Sequence, residues 1–310
     1  MEHLEAAINI QNAINGFFIG KKDVIKHILI CLITGGHVLI EDVPGTGKTT
    51  LAKCFARAVD ADFGRIQFTP DTLPSDVTGV SVYNTKSGEF EYREGAIMHQ
   101  ILLADEINRT SPKTQACLLE AMAESQVTVD DRVHLLKQPF MVIATQNPIE
   151  YTGTYPLTEA SMDRFMMKLS IGYPEPGEEI SMASSYLKGA RFEMVEKVCD
   201  ASKIELIKKE VREITIKDSV IGYAREIINL TRNEERFLKG ASPRALLSLL
   251  DAARGEAYLS GRDHVIPDDI KNLSLFVLAH RLNLTSKAKI SGENVSGILR
   301  SLILKAKVPV

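Results

Sequence analysis

The chain has no CxxC pair among its cysteines, no excess of basic residues, no long apolar run, no internal repeat and no low-complexity stretch. Each absence removes a class of function. Cys31, Cys54, Cys117 and Cys199 lie far apart, whereas zinc sites need closely spaced ligands, so reduced thiols are expected rather than a metal cluster. The formal net charge is -3, which is not the basic footprint of a nucleic-acid binder, although a local basic loop remains compatible with it. The longest apolar run, residues 28–33, is far short of the ~20 residues of a membrane helix. The opening Met1-Glu2-His3-Leu4-Glu5 lacks the basic region and apolar core of a signal peptide, so a soluble cytoplasmic chain is expected.

What is present is an ordinary globular composition over 310 residues, 45% hydrophobic and 25% charged, enough for two domains at ~150 residues each. Residues 4–18 and 23–34 read as helices, the second ended by Gly35-Gly36. Short apolar runs follow at 38–40, 65–68, 101–104, 141–144 and 167–170. Helical segments at 48–59 and 112–125 lie between them, the latter with Ser111 as N-cap and Pro112 at its first position. Strands alternating with helices predict a mostly parallel sheet covered on both faces. Apolar alternation at about 80–93 and 126–137 predicts two exposed β-hairpins. After Tyr173-Pro174-Glu175-Pro176-Gly177 the strand signals stop. Six helical stretches follow, at 178–189, 202–213, 217–231, 242–260, 267–282 and 293–305. The expected division is residues 1–177 as a three-layer αβα domain and 178–310 as an all-helical domain.

Asp42-Val43-Pro44-Gly45-Thr46-Gly47-Lys48-Thr49-Thr50 follows a strand and opens a helix. Glycines there let backbone N–H groups turn inward onto phosphate oxygens, and the helix N-terminus adds partial positive charge beneath them. Lys48 is placed to reach the β- and γ-phosphates of ATP, and the Thr49 hydroxyl to ligate Mg²⁺. Asp42 stands where the general motif has its first glycine. The strand at 101–104 ends in Asp105-Glu106. Asp105 suits an outer-shell place on waters around Mg²⁺, and Glu106 suits a base for the attacking water. Taken alone, the pair reads equally as an exposed strand end. Asn147, just past the strand at 141–144, lies where open parallel sheets bind ligands and could hold that water. A turn-forming Asn before Pro148 explains it as well.

Together these residues, with Ser242-Pro243-Arg244, come in the order and spacing of AAA+ ATPases, and the chain resembles their MoxR branch most closely. Supporting phrases are Glu41-Asp42-Val43-Pro44-Gly45, Leu73-Pro74-Ser75-Asp76, Ala104-Asp105-Glu106-Ile107-Asn108-Arg109, Ala144-Thr145-Gln146-Asn147-Pro148, Gly153-Thr154-Tyr155-Pro156-Leu157 and Met162-Asp163-Arg164-Phe165. Thr158 and Ser161 depart from the branch pattern, and Asp42 conforms to it. The resemblance implies a P-loop fold with a helical lid, and nucleotide between sheet domain and lid, with Ile19 and Gly20 near the base. It implies that Arg164 is a finger into the neighbouring subunit's site and Arg244 a sensor on the lid. Ordinary alternatives are a local ion pair of Arg164 with Asp163 or Glu159, and a solvated helix-start Arg244. It also implies a homo-oligomeric, hexameric ring that works with a von Willebrand factor A domain protein on a client protein, the hairpins facing the pore or a partner. A nucleic-acid motor or loader is the first rival, disfavoured by the mildly acidic composition. A non-hydrolysing nucleotide switch is the second, disfavoured by the intact Asp105-Glu106 pair.

Overall fold

A computed structural model describes residues 1–147 and 154–309. Pro148 and Gly153 of the resemblance phrases lie outside the described residues. Two amphipathic helices come first, α1 (Leu4–Phe17) and α2 (Lys22–Thr34), the second ended by Gly35 in the left-handed conformation. Then β1 (Val38–Glu41), α3 (Lys48–Ala58), β2 (Phe63–Gln67) and a short α4 (Pro74–Thr78) follow. The first hairpin is β3 (Gly79–Asn84) with β4 (Glu89–Glu94). After β5 (Ile101–Asp105) comes α5 (Pro112–Glu124), whose Ser111 cap accepts a hydrogen bond from the Thr114 amide. The second hairpin is β6 (Gln126–Val129) with β7 (Arg132–Leu135). The series closes with β8 (Met141–Gln146), α6 (Glu159–Met162) and β9 (Met167–Leu169).

Five strands form one parallel sheet in the order β2-β5-β8-β1-β9. The residues of β5 are all buried and those of β8 nearly so. That is the burial of a strand covered on both faces, and it is why these strands read as continuous apolar runs rather than alternations. The hairpins stand apart as two-stranded sheets, and they meet where the Tyr92 and His134 rings stack with centroids 3.8 Å apart.

The helical half contains α7 (Pro176–Leu187), α8 (Ala201–Glu213), α9 (Asp218–Arg232), α10 (Pro243–Leu259), α11 (Pro267–Leu278), α12 (Ser286–Ile290) and α13 (Val295–Lys305). Sequence periodicity marks six of these. It misses α12, as it misses α4 and α6, because elements of four or five residues are too short to establish a period of 3.6. The long helix expected at 267–282 stops at Leu278 and continues as a 3-10 turn over Ala279–Arg281. That turn brings His280 and Arg281 back against the sheet half.

Among the described residues the helical half has no separate core. One apolar cluster joins α1 and α2, one side of the sheet (Val38, Ile40, Leu103, Ile143) and the lid helices (Ile207, Ile227, Leu249, Leu273). Gly255 of α10 permits close approach to α2, since a Cβ there would meet Ile30 at 2.9 Å and Thr34 at 3.0 Å. A second cluster fills the other side of the sheet, around Leu39, Phe68, Leu102, Leu118 and Phe165. All four cysteines are free thiols, Cys31 and Cys54 buried. Among the described residues no helix is long and apolar enough to cross a membrane.

Candidate active site

In a parallel sheet the carboxyl ends of the strands share one edge, and a ligand crevice forms outside them. Here β1 ends in the phosphate loop, β5 in Asp105-Glu106 and β8 in Gln146-Asn147. The three ends converge on a cleft of about 410 Å³ whose lining includes Pro44, Gly45, Gly47, Lys48, Thr49, Thr50, Asp105, Glu106 and Asn147. Thr46 is buried within the loop and is not part of that lining; its hydroxyl donates to the Val43 carbonyl at 3.4 Å.

The loop has the backbone the motif requires. Gly45 and Gly47 have φ of 88° and 87°, values that a side chain disfavours. The Phe18 ring closes over Gly47, 3.0 Å from where a Cβ would sit. Lys48 Nζ donates to the carbonyls of Asp42 and Val43 at 3.0 and 2.8 Å, so the ammonium is held over the loop. Asp42, in the first-glycine position, has a structural task. Its buried carboxylate accepts hydrogen bonds from the amides of Ile171 and Gly172 and from Ser170 Oγ. It thereby ties the loop to the segment leaving β9.

The two acids are held from both sides. Thr145 Oγ1 donates to Asp105 Oδ1 at 2.6 Å and accepts the Glu106 amide at 2.9 Å. Arg65 Nη2 reaches Asp105 Oδ2 at 2.8 Å. Gln67 Nε2 donates to Glu106 Oε2 at 2.8 Å, and Arg109 Nη1 lies 2.9 Å from the same oxygen. Glu106 itself has φ 57°, a left-handed conformation that costs a non-glycine residue of order 1 kcal/mol and recurs at functional sites. Arg65, Gln67 and Thr145 also line the cleft. None of them was singled out from the sequence. The signal for the first two is present in β2, where Arg65 and Gln67 fall on one exposed face while Gly64 and Ile66 are buried on the other.

The donor set suits Mg²⁺ with ATP. A threonine hydroxyl and a carboxylate face one cleft beside a lysine and glycine amides, and Mg²⁺ needs only one or two protein ligands among its waters. Elsewhere, Glu2, His3 and Glu210 lie close enough to share an ion. Glu210, however, already accepts the Glu2 and His3 amides and the Tyr258 hydroxyl, as a brace for the start of α1.

Besides Thr46, four expected residues lie outside the lining of this cleft: Ile19, Gly20, Arg164 and Arg244. The turn carrying Ile19 and Gly20 does not line it. Gly20 has φ 81° and a side chain there would collide with the Glu178 carboxylate of α7, so this turn is pinned beside the loop between Phe18 and α7. Arg164 and Arg244 share a different cleft of about 230 Å³, together with Asp163, His37 and Ser248. Arg164 donates to the Ala160 carbonyl at 3.3 Å. The carboxylates that offered it a local ion pair are engaged elsewhere: Asp163 with Arg281 and Ser242, Glu159 with Lys239 and Asn283. Among the described residues Arg164 has no carboxylate partner. Thr158, a departure from the branch pattern, is the N-cap of α6 and accepts the Ser161 amide.

Comparison with known proteins places the chain in a family. Residues 37–167 match the profile "ATPase family associated with various cellular activities (AAA)" and residues 229–302 match "AAA lid domain". Chaperone MoxR1 of Mycobacterium tuberculosis is 38% identical, over 87% of this chain and 74% of its own. The chain belongs to the MoxR family of AAA+ ATPases. YeaC of Bacillus subtilis is 50% identical over 96% of this chain and 93% of its own. The crystal structure of a Cytophaga hutchinsonii protein assigned as an ATPase superposes with a TM-score of 0.93 at 36% identity, covering 100% of this chain and 96% of that one. As a MoxR-family protein the chain is a chaperone-like ATPase with a P-loop AAA+ fold and a helical lid.

Proposed function

We propose that this MoxR-family ATPase hydrolyses Mg-ATP within a ring of identical subunits, hexameric in the family's manner, to remodel or activate a partner complex. Lys48 and the amides of Gly45 and Gly47 would hold the phosphates, and Thr49 and Asp105 would hold Mg²⁺. The metal would supply charge neutralisation at the phosphate oxygens. Glu106 orients and polarises the attacking water, and Asn147 positions it from the neighbouring strand end. The ATP-binding half is residues 1–177 and the lid 178–310. Ile19 and Gly20 belong to the turn beside the loop that borders the adenine end.

One observation carries the ring. Lys48, Asp105 and Glu106 line one cleft, while Arg164 and Arg244 line another. The chain thus presents the acids and two arginines with no carboxylate partner among the described residues on separate surfaces, which a second copy can bring together. On this reading Arg164 neutralises charge growing on the γ-phosphate of the neighbour's ATP, a contribution of ~10³ to 10⁵ in rate. Arg244 joins it from the lid, so that hydrolysis in one subunit is felt by the lid of the next. The partner is a von Willebrand factor A domain protein with its client, and neither nucleic acid nor membrane is the substrate. The protein works in the cytoplasm. The exposed hairpins, with Tyr83, Phe90, Val133 and Leu135 outward, are the surfaces for client or partner.

The experiment is an ATP-trapped Glu106→Gln pull-down with bound proteins identified by mass, alongside turnover measured against protein concentration. Specific ATP hydrolysis independent of concentration down to demonstrably monomeric protein would overturn the shared site. Stimulation of turnover by DNA would favour the motor reading instead.

A further inference from the structure

Arg281 lines neither the phosphate cleft nor the cleft of Arg164, yet its side chain is only 2% exposed. Burying a guanidinium is costly unless its donors are met. Its partners are specific. Nη2 donates to the Phe165 carbonyl at 2.7 Å and to Ser248 Oγ of α10 at 3.1 Å, and Nη1 lies 3.4 Å from Asp163 Oδ1. Burial draws its pKa down to about 10 against the pull of Asp163, so it stays charged at neutral pH. His280, kept neutral by burial, places Nε2 3.1 Å from the same Phe165 carbonyl and 3.3 Å from Arg281 Nε. Ser242, the N-cap of α10, donates its hydroxyl to Asp163 at 3.0 Å.

These contacts fall on Asp163 and Phe165, the two residues that flank Arg164. The Phe165 ring is fully buried in the second apolar cluster. The chain on either side of Arg164 is therefore fixed by lid residues, while among the described residues the Arg164 guanidinium itself reaches one local carbonyl. We propose that Arg281 is a positioning residue for Arg164: with His280 and Ser242 it clamps both neighbours of Arg164 and makes the lid's seating a condition for completing the adjoining subunit's site. The proposal rests on the reading of Arg164 as a residue that acts across subunits. A planar fork can serve Asp163, Phe165 and Ser248 together, which a lysine ammonium cannot do. An ångström-scale misplacement of a reacting group costs up to ~10²-fold.

The test compares Arg281→Lys, Arg281→Met and Arg164→Ala in the full-length protein. Fluorescent-nucleotide affinity, steady-state turnover and complementation by Glu106→Gln subunits are read for each. Glu106→Gln subunits cannot hydrolyse but keep Arg164 and its clamp. The expected result is a fall in kcat toward ~10²-fold in the Arg281 variants, with nucleotide affinity retained and hydrolysis restored by mixing with Glu106→Gln. If Arg281→Met does not fold, Arg281→Lys, which keeps the charge opposite Asp163, carries the test. Wild-type turnover in Arg281→Lys overturns the proposal. So does restoration by mixing for Arg164→Ala but not for the Arg281 variants, which leaves the role of Arg164 standing. Restoration for neither removes the role of Arg164 and the proposal with it.

Discussion

Thr145 donates its hydroxyl hydrogen to Asp105 and receives the amide hydrogen of Glu106, at 2.6 and 2.9 Å. One side chain on β8 therefore sets both acids at the end of β5. Thr145→Val keeps the shape and removes both bonds, leaving polar groups unpaired at a cost of about 1–3 kcal/mol. Urea unfolding is expected to show that loss and ATP turnover to fall, while Thr145→Ser stays near wild type. Equal turnover in the valine and serine variants would show that the hydroxyl does not order the acids.

Lys48→Ala is expected to lose ATP binding, because the variant leaves the loop amides without the cation that Asp42 and Val43 hold above them. Equilibrium titration with a fluorescent ATP analogue checks this, and near-normal affinity would contradict the phosphate role of the loop.

Glu106→Gln is expected to bind ATP and release phosphate ~10²-fold more slowly, since it keeps the shape and loses the base. Rapid-quench measurement of bound ATP and ADP separates binding from chemistry. Wild-type chemistry would remove Glu106 from the role of base.

Asp42→Gly restores the general phosphate-loop pattern, yet it is expected to destabilise the protein. The Ile171 and Gly172 amides and the Ser170 hydroxyl lose their acceptor, which costs about 1–3 kcal/mol per buried orphan. A urea midpoint at or above wild type would show that the tie to the β9 exit contributes nothing.

Stability is expected to fall on mild acidification. Burial lowers the pKa of His37 to about 4 and that of His280 to about 3. Both values lie below the ~6.5 of an unfolded histidine. The unfolded chain therefore binds more protons between those limits. The stabilisation is complete above pH 6.5 and is lost as pH falls toward 4 and 3, at about 1.4 kcal/mol per pH unit for each ring. His37 has no spare place for a second proton, since Nδ1 accepts the Val142 amide while Nε2 donates to the Met122 carbonyl. Thermal melts from pH 7.5 to 5 check the slope, and a flat midpoint would contradict it.

The local signals were strong wherever one stretch of chain carried its own reason. The phosphate loop is legible because its glycines, lysine and threonine are consecutive between a strand and a helix. The strands of the sheet are legible because burial on both faces makes them continuous apolar runs, and the hairpins because their apolar residues alternate about short polar turns. Asp42 was visible as a departure from the general pattern, but its reason lies 129 residues away in the amide of Ile171. Arg65 and Gln67 fall within the strand expected at 65–68, and only the pairing of β2 with β5 puts them over Asp105 and Glu106.

The sequence by itself determined the phosphate loop, the acid pair, the parallel sheet and the helical half that follows, because each depends on spacing along the chain. Only the tertiary structure decided that Arg164 and Arg244 share a cleft away from Lys48, and that His280 and Arg281 clamp the residues flanking Arg164. The physical reason is that a side chain's neighbours across a fold are set by how the lid seats on the sheet, through contacts more than a hundred residues apart. No local periodicity encodes those contacts.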